Sequence, residues 1–396
     1  MSQQARPQPI PAESETVSFT LRELLLYFLR LGTFGFGGPI ALAGYMQRDL
    51  VERRHWVSRG DYLEGLAFSQ LSPGPLAAQL AMYIGWLRAG FIGTSLVGIA
   101  FVLPSFVMAV IVAALYVHFG KLPWIQGMFY GIGAAVIAII VRSAVKLVRT
   151  TVRKDWLLWT IFGVLAITTA WTQSEIIWLF VLSGIIAMFI KAPPLRIRNP
   201  PMTILPTLSP LLSGMHGVAS VATVAGLFLF FLKAGAFVFG SGLAIVPFLY
   251  GGVVAKFHWL TEQQFVDAVA VAMITPGPVV ITAAFIGYLV AGTIGAILAA
   301  FAVFAPPYFI ILVGAPYYRR FAQNQQVKAF VQGVTAAAVG AIAGAAYILA
   351  RRSLIDITTL SIGVVALTLS LLTKKVPEPL LIFAAGAVGL VLHGRA

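Results

Sequence analysis

Apolar residues run along this chain in long blocks, not in the alternating rhythm of a half-buried strand. The blocks at 89–116, 122–142, 156–172 and 175–191 are long enough to span or nearly span a bilayer, at about 1.5 Å per residue. The alternating ten-residue pattern of a transmembrane barrel is absent. The pattern predicts an all-α polytopic integral membrane protein. Two blocks are broken in the middle. Ser72-Pro73-Gly74-Pro75 interrupts one, and Thr275-Pro276-Gly277-Pro278 interrupts another, 203 residues later. A proline lacks the N–H that a helix needs, and glycine admits unusual backbone angles. Broken backbone at membrane depth is tolerated where it is packed in protein or lines a wet cavity. Paired breaks in corresponding positions point to a transporter site.

The two breaks belong to a longer repeat. At the same offset Phe28-Leu29-Arg30 aligns with Phe231-Leu232-Lys233. Gly32, Phe34, Phe36 and Gly37 align with Gly235, Phe237, Phe239 and Gly240. His55-Trp56 aligns with His258-Trp259, and Glu64 with Asp267. After a one-residue deletion Gly90, Gly93, Pro104 and Gly131 align with Gly292, Gly295, Pro306 and Gly333. Two homologous halves are predicted, at 18–191 and 221–396, behind a disordered N-terminus at 1–17 and joined by a Pro-rich linker at 192–220.

Positive charge orients the halves. In the first, successive polar breaks carry four, one, five, none and three Lys or Arg. In the second they carry one, three, two, two and one. The first loops swap sign, which favours an inverted repeat. Charges at both ends of the segments around 35–39 and 72–75 suggest re-entrant hairpins near the midplane. The alternative is that some of these charges lie in the membrane or outside. Total crossings fall between 8 and 13, depending on how the hairpins are counted.

Composition adds little to this picture. The chain is 59% hydrophobic and 10% charged, with a net charge of +14. Inside-positive loops account for most of that excess, and a positive pore for an anion accounts for the rest. No basic block suggests nucleic acid, and no P-loop suggests ATP. The five scattered His show no metal-ligand spacing, and there is no Cys. No nucleophile–base pair stands out, so no enzyme, cofactor or metal is expected.

The chemistry is expected at the breaks. A helix restarting at Gly37-Gly38-Pro39 presents orphan N–H donors and a positive dipole end, which suits an anion. Gly240-Ser241-Gly242 is its counterpart. Ser72, Pro73, Gly74 and Pro75, with Thr275, Pro276, Gly277 and Pro278, form the second pair, and Ser72 or Thr275 adds a hydroxyl. Close packing of helices through small residues is the bland explanation of the same glycines. Arg30 and Lys233 precede the glycines by one turn, where a cation is either functional or snorkelling. Gln70 and Gln79 flank the first break and carry amide donors, and Arg88 is a candidate of lower weight. Glu64 and Asp267 are either proton relays or dipole-favoured acids after the Ser58 and Thr261 caps.

These motifs resemble the chromate ion transporter family in its long two-domain form. The likeness rests on Phe34-Gly35-Phe36-Gly37-Gly38-Pro39, Arg53-Arg54-His55-Trp56 and Ser69-Gln70-Leu71-Ser72-Pro73-Gly74-Pro75, with their second copies, and covers most of the chain. The resemblance implies a multi-pass cytoplasmic (inner) membrane protein that exports chromate, with sulfate as competitor and chromate resistance as outcome. Sulfate or other oxyanion uptake and an anion channel are the alternatives. The lipid bilayer is the expected surrounding, and a homodimer is one possible assembly. The second copy has Ser241-Gly242 where the first has Gly38-Pro39, so the half-sites need not bind alike.

Overall fold

A computed structural model describes residues 17–36, 38–120, 122–152, 154–172, 177–193, 221–237, 245–318, 324–354, 356–372 and 378–393. Residues 1–16 of the expected disordered segment, 194–220 of the expected linker, and Gly37, Gly240, Ser241 and Gly242 lie outside them. All regular structure among the described residues is helical.

Each half opens with two helical hairpins. In the first, α1 (Leu21–Phe34) starts at a capping box between Thr20 and Glu23. It ends at the glycine-rich break, and α2 (Gly38–Met46) returns through a π-helical turn, Gln47–Arg53. Leu42 of α2 would meet any Cβ on Gly35, which closes the hairpin at its tip. The second hairpin is α3 (Arg59–Leu71), the Ser72–Pro75 break, and the first part of α4 (Leu76–Phe119). Tyr83 packs on Gly65 and lies 6.2 Å from the ring of Phe68, so the two arms run antiparallel. The 13 residues of α3 rise only about 20 Å. An arm of that length reaches partway into a ~30 Å core and brings the proline break near the midplane. The hairpin reading of both broken segments therefore matches the geometry.

α4 is two helices. Ala89 and Gly90 leave helical angles, Gly90 at φ +54°, and the chain turns back so that Gly85 and Gly93 touch carbonyl to α-carbon. Only glycine permits that approach. Residues 91–119 then form a full span. The same device recurs at Ala291-Gly292, with Gly287 against Gly295.

α5 (Pro123–Thr151), α6 (Trp156–Thr172) and α7 (Ile177–Lys191) complete the first half. α8 (Val221–Phe237), α9 (Ile245–Leu249), a second π-helical turn (Tyr250–Lys256), α10 (Glu262–Ile274), α11 (Thr282–Gly314), α12 (Gln325–Ser353), α13 (Ile357–Leu372) and α14 (Glu378–His393) repeat the order. The one-residue deletion falls after Pro278, where a tight 3₁₀ turn, Val279–Ile281, replaces the first α-turn of α4. Both π-helical turns are followed by a histidine in the left-handed region, His55 at φ 52° and His258 at φ 51°.

The halves are interleaved. Gly131 of α5 packs on Ala385 and Gly389 of α14, while Gly333 of α12 packs on Ser183 and Ala187 of α7. Each half thus lends its last helices to the other. α5 extends to Thr151, so Arg142, Lys146 and Arg149, counted from sequence as a polar break, are helical.

The long spans of α4 and α11 fix the symmetry. Ser95 and Tyr308 share a hydrogen bond of 2.7 Å. Their repeat equivalents, Ile297 and Phe106, line the same apolar cleft of about 460 Å³. Moving forward along α4 from 95 to 106 therefore moves backward along α11. Symmetry-related spans that lie antiparallel require a two-fold axis in the membrane plane, so the repeat is inverted.

Candidate functional site

The break before α2 and the hairpin tip of the second half meet. Gly277 N–H donates to the Gly35 carbonyl at 3.0 Å. Ser105 of α4 donates to the Pro276 carbonyl at 2.7 Å and lies 3.4 Å from the Gly32 carbonyl. Pro276, Gly277 and Pro278 are buried. Gly277 sits at φ +98°, and a Cβ there would fall on the Ser105 hydroxyl. The unusual backbone that Pro-Gly-Pro announces is thus pinned by hydrogen bonds from the opposite half.

A cavity of about 510 Å³ opens beside this junction. Gly38, Pro39, Gln70, Thr275 and Gly277 line it, so the structure brings five of the expected residues together. The start of α2 forms one wall, Gln70 brings an amide and Ser143 of α5 a hydroxyl, while the Thr150 hydroxyl turns back to the Lys146 and Leu147 carbonyls. Thr275 hydroxyl turns back to the Val271 carbonyl. Lys146 of α5 gives the cavity a cation, and Glu378 at the start of α14 gives it a carboxylate, 3.9 Å from Arg142. With Arg142 offsetting Glu378, the wall is net positive and carries several donors. Such a wall can take a small anion, because a dianion leaving water needs convergent charged and neutral donors.

The other expected residues are elsewhere. Ser72 hydroxyl donates to the Phe68 carbonyl and accepts from the Gln79 amide at 3.1 Å. That amide also donates to the Pro73 carbonyl at 2.8 Å, and a Cβ on Gly74 would strike both Gln79 and Pro307. The first Pro-Gly-Pro tip, Pro75 included, is therefore knitted internally and faces α11. Gly240, Ser241 and Gly242, the counterparts of Gly37, Gly38 and Pro39, lie outside the described residues. Arg30 is exposed and lines a separate cavity that shares only Gly35 with the first. Lys233 is exposed. Arg88 clasps the N-terminal segment, donating to the Phe19 carbonyl at 2.9 Å.

The two carboxylates occupy matching positions and are not helix-cap acids. Asp61 and Glu262 take the first-turn places behind Ser58 and Thr261. Asp267 is 3% exposed, accepts a hydrogen bond of 2.7 Å from Tyr116 and another of 2.9 Å from Gln263, and lines a cavity of about 620 Å³. Tyr318, the repeat equivalent of Tyr116, lies within electrostatic reach of Glu64.

Three contributors escape the motif search: Lys146, Ser105 and Tyr116. The spacing of Arg142, Lys146 and Arg149 by four and three residues is a helical face, and that signal marks Lys146. Ser105 and Tyr116 sit in an apolar run with nothing local to distinguish them.

A sequence model of the family described as chromate transporter matches residues 22–188 and 225–390. The chain is 54% identical over 377 residues to the chromate transport protein of Cupriavidus metallidurans, covering 95% of this chain and 94% of that protein. It is 53% identical over 382 residues to the probable chromate transport protein of Synechococcus elongatus, covering 96% and 97%. A chromate transport protein of Pseudomonas aeruginosa is 29% identical, covering 93% and 91%. No solved structure matches.

Proposed function

The chain belongs to the chromate transporter family, and on that premise we propose that it carries chromate across the cytoplasmic membrane, outward, as a secondary transporter. The observation that carries this reading is the junction of the α2 start with the Thr275–Pro278 tip, beside a cavity holding Lys146 and Gln70. The substrate is a tetrahedral dianion. Sulfate, of the same charge and shape, competes for the site. Arg30 stands along the route to it, and Ser72, Pro73, Gly74 and Pro75 hold the backbone of the first tip. The protein works as a carrier and not as an enzyme, in the lipid bilayer, with its unit the interleaved halves 18–191 and 221–396. A homodimer is compatible with that unit.

An outward dianion runs downhill on a negative-inside potential, by about 2.3 kcal/mol per charge per 100 mV. Export therefore proceeds without a proton, and Glu64 and Asp267 tune it. Resistance to chromate follows from export.

The test is chromate flux into everted vesicles with an imposed potential and with excess sulfate. Saturable accumulation that follows the potential and is blocked by sulfate supports the reading. Non-saturating flux that never concentrates the ion indicates a channel. Accumulation of the opposite polarity indicates uptake.

A further inference from the structure

The repeat keeps guanidinium groups around a cavity in one half and places aromatic rings at several of the equivalent positions in the other. Between α1 and the first π-helical turn lies a space of about 550 Å³ lined by Arg30, Arg48, Arg53 and Arg54, with Glu23 and Asp49. Four guanidinium groups against two carboxylates leave a formal charge of +2. Asp49 is held by Arg48 at 3.1 Å and Arg53 at 3.7 Å, and Glu23 by the Thr20 cap. Among the described residues neither Arg30 nor Arg54 is paired with a carboxylate. Tyr27 lines the same space, is 8% exposed, and its hydroxyl has no hydrogen-bond partner among the described residues. A buried hydroxyl left unpartnered is costly, and beside it Arg54 stacks on the Tyr27 ring at 5.7 Å and the Trp56 ring at 4.5 Å.

At the equivalent described positions of the second half, aromatic rings pack together. Phe230 replaces Tyr27, Phe248 replaces Tyr45 and Phe257 replaces Arg54. The Phe230 ring lies 5.2 Å from Phe248, 5.8 Å from Phe257 and 5.9 Å from Trp259. Gly252 stands where the first half has Asp49, and a Cβ there would fall on Phe230. The π-helical turn and the left-handed histidine that follows it are kept in both copies. Because the repeat is inverted, the two copies open to opposite faces of the membrane.

We propose that the cavity between α1 and the first π-helical turn is a capture site for a tetrahedral oxyanion dianion, present at one face only. Tyr27, Arg30 and Arg54 bind the anion, and Gly35, which lines this cavity and the central one, marks the way inward. The site rests on the transport reading and deepens it. It gives an inverted, nearly symmetric protein a preferred entrance: Lys233 and Lys256 keep two cations at the equivalent positions of the other copy, but the Tyr27 hydroxyl and the Arg54 guanidinium, replaced there by Phe230 and Phe257, belong to this mouth alone. A phospholipid headgroup offers similar chemistry, and the test separates the two.

Chromate flux is measured in right-side-out and everted vesicles for Tyr27→Phe, Arg54→Gln and, as control in the other copy, Lys256→Gln. Tyr27→Phe and Arg54→Gln are expected to raise KM about ten-fold for chromate presented at the arginine face, with kcat and the opposite-face KM kept. Lys256→Gln is expected to change neither. Unchanged KM at the arginine face in both variants, or an equal rise at both faces, overturns the capture site. A KM effect found in bilayers with phosphatidylglycerol and absent in purely zwitterionic ones assigns the cavity to a lipid headgroup and also overturns it. Equilibrium binding of radiolabelled sulfate to the purified chain in zwitterionic nanodiscs reads the site without transport. Binding weakened about ten-fold by Tyr27→Phe keeps the capture site even if chromate flux is absent and the transport reading falls. Binding untouched by it removes the site while leaving transport intact.

Discussion

Tyr116 donates its hydroxyl to Asp267 at 2.7 Å, and so ties a span of the first half to a buried carboxylate of the second. The bond matters because Asp267 is almost fully enclosed, with Gln263 as its other partner. Removing one donor from a buried charge costs about 1–3 kcal/mol. Tyr116→Phe is expected to lower the melting temperature of the purified protein by several degrees. Asp267→Asn, which removes the charge to be buried, is expected to be milder for the fold.

The same carboxylate faces a cavity of about 620 Å³. Asp267→Asn is expected to leave potential-driven chromate flux in place and to abolish any response to an imposed pH gradient. Proteoliposome flux at fixed potential with varied pH difference reads this. An unaltered gradient response in the Asn variant assigns Asp267 to structure alone.

Gly277 offers a sharper test of the hairpin tip. Its φ of +98° and the Ser105 hydroxyl both exclude a side chain. Gly277→Ala is expected to destabilise by about 2 kcal/mol or more and to abolish flux, since strain and overlap combine. Gly44, where a Cβ meets nothing within 4 Å, provides the control. Gly44→Ala is expected to retain flux and melting temperature.

The breaks, the repeat and the inversion were legible because proline, glycine and charge leave marks in sequence that survive without neighbours. Gly90 and Gly292 align because each must turn a helix back on itself. Glu64 and Asp267 align because the hairpin arms align. What stayed hidden was set by packing across the halves. Nothing in α6 or α7 says that they lie on α12, since a helix that is apolar nearly all round carries no face to read. Ser105 is one hydroxyl in an apolar run until the Pro276 carbonyl arrives beside it. Lys233 aligned with Arg30 in the repeat yet lies exposed, while Lys146, with Ile348 at its repeat equivalent, lines the cavity. Repeat matching finds what the halves share, and here part of the chemistry lies where they differ.

Asp155 supplies a pH-dependent brace outside the spans. It caps α6 through the N–H groups of Leu157 and Leu158, and pairs with Lys191 at the end of α7. Desolvation pushes its carboxyl up, but the Lys191 hydrogen bond and the backbone donors outweigh it and hold it below the ordinary 3.8. A carboxyl depressed in the folded state stabilises at pH above its unfolded value, and that stability drains away as pH falls through the folded one. The melting temperature is expected to fall below about pH 4, less steeply in Asp155→Asn, which starts lower at neutral pH.

Two cations separate the central cavity from the membrane surface. Lys146 lines the space beside Gln70 and Gly277, whereas Lys233 is exposed. A charge-assisted contact to a desolvated dianion contributes about 1.5–3 kcal/mol. Lys146→Ala is therefore expected to raise KM for chromate by roughly ten-fold or more. Lys233→Ala is expected to shift it by less than about two-fold, because an exposed cation is solvated and screened. Sulfate inhibition should weaken in parallel with KM in Lys146→Ala if one site serves both anions. If Lys233→Ala has the larger effect, the anion passes along the outer face of α8, and the cavity at the Gly35–Gly277 junction is not the binding place.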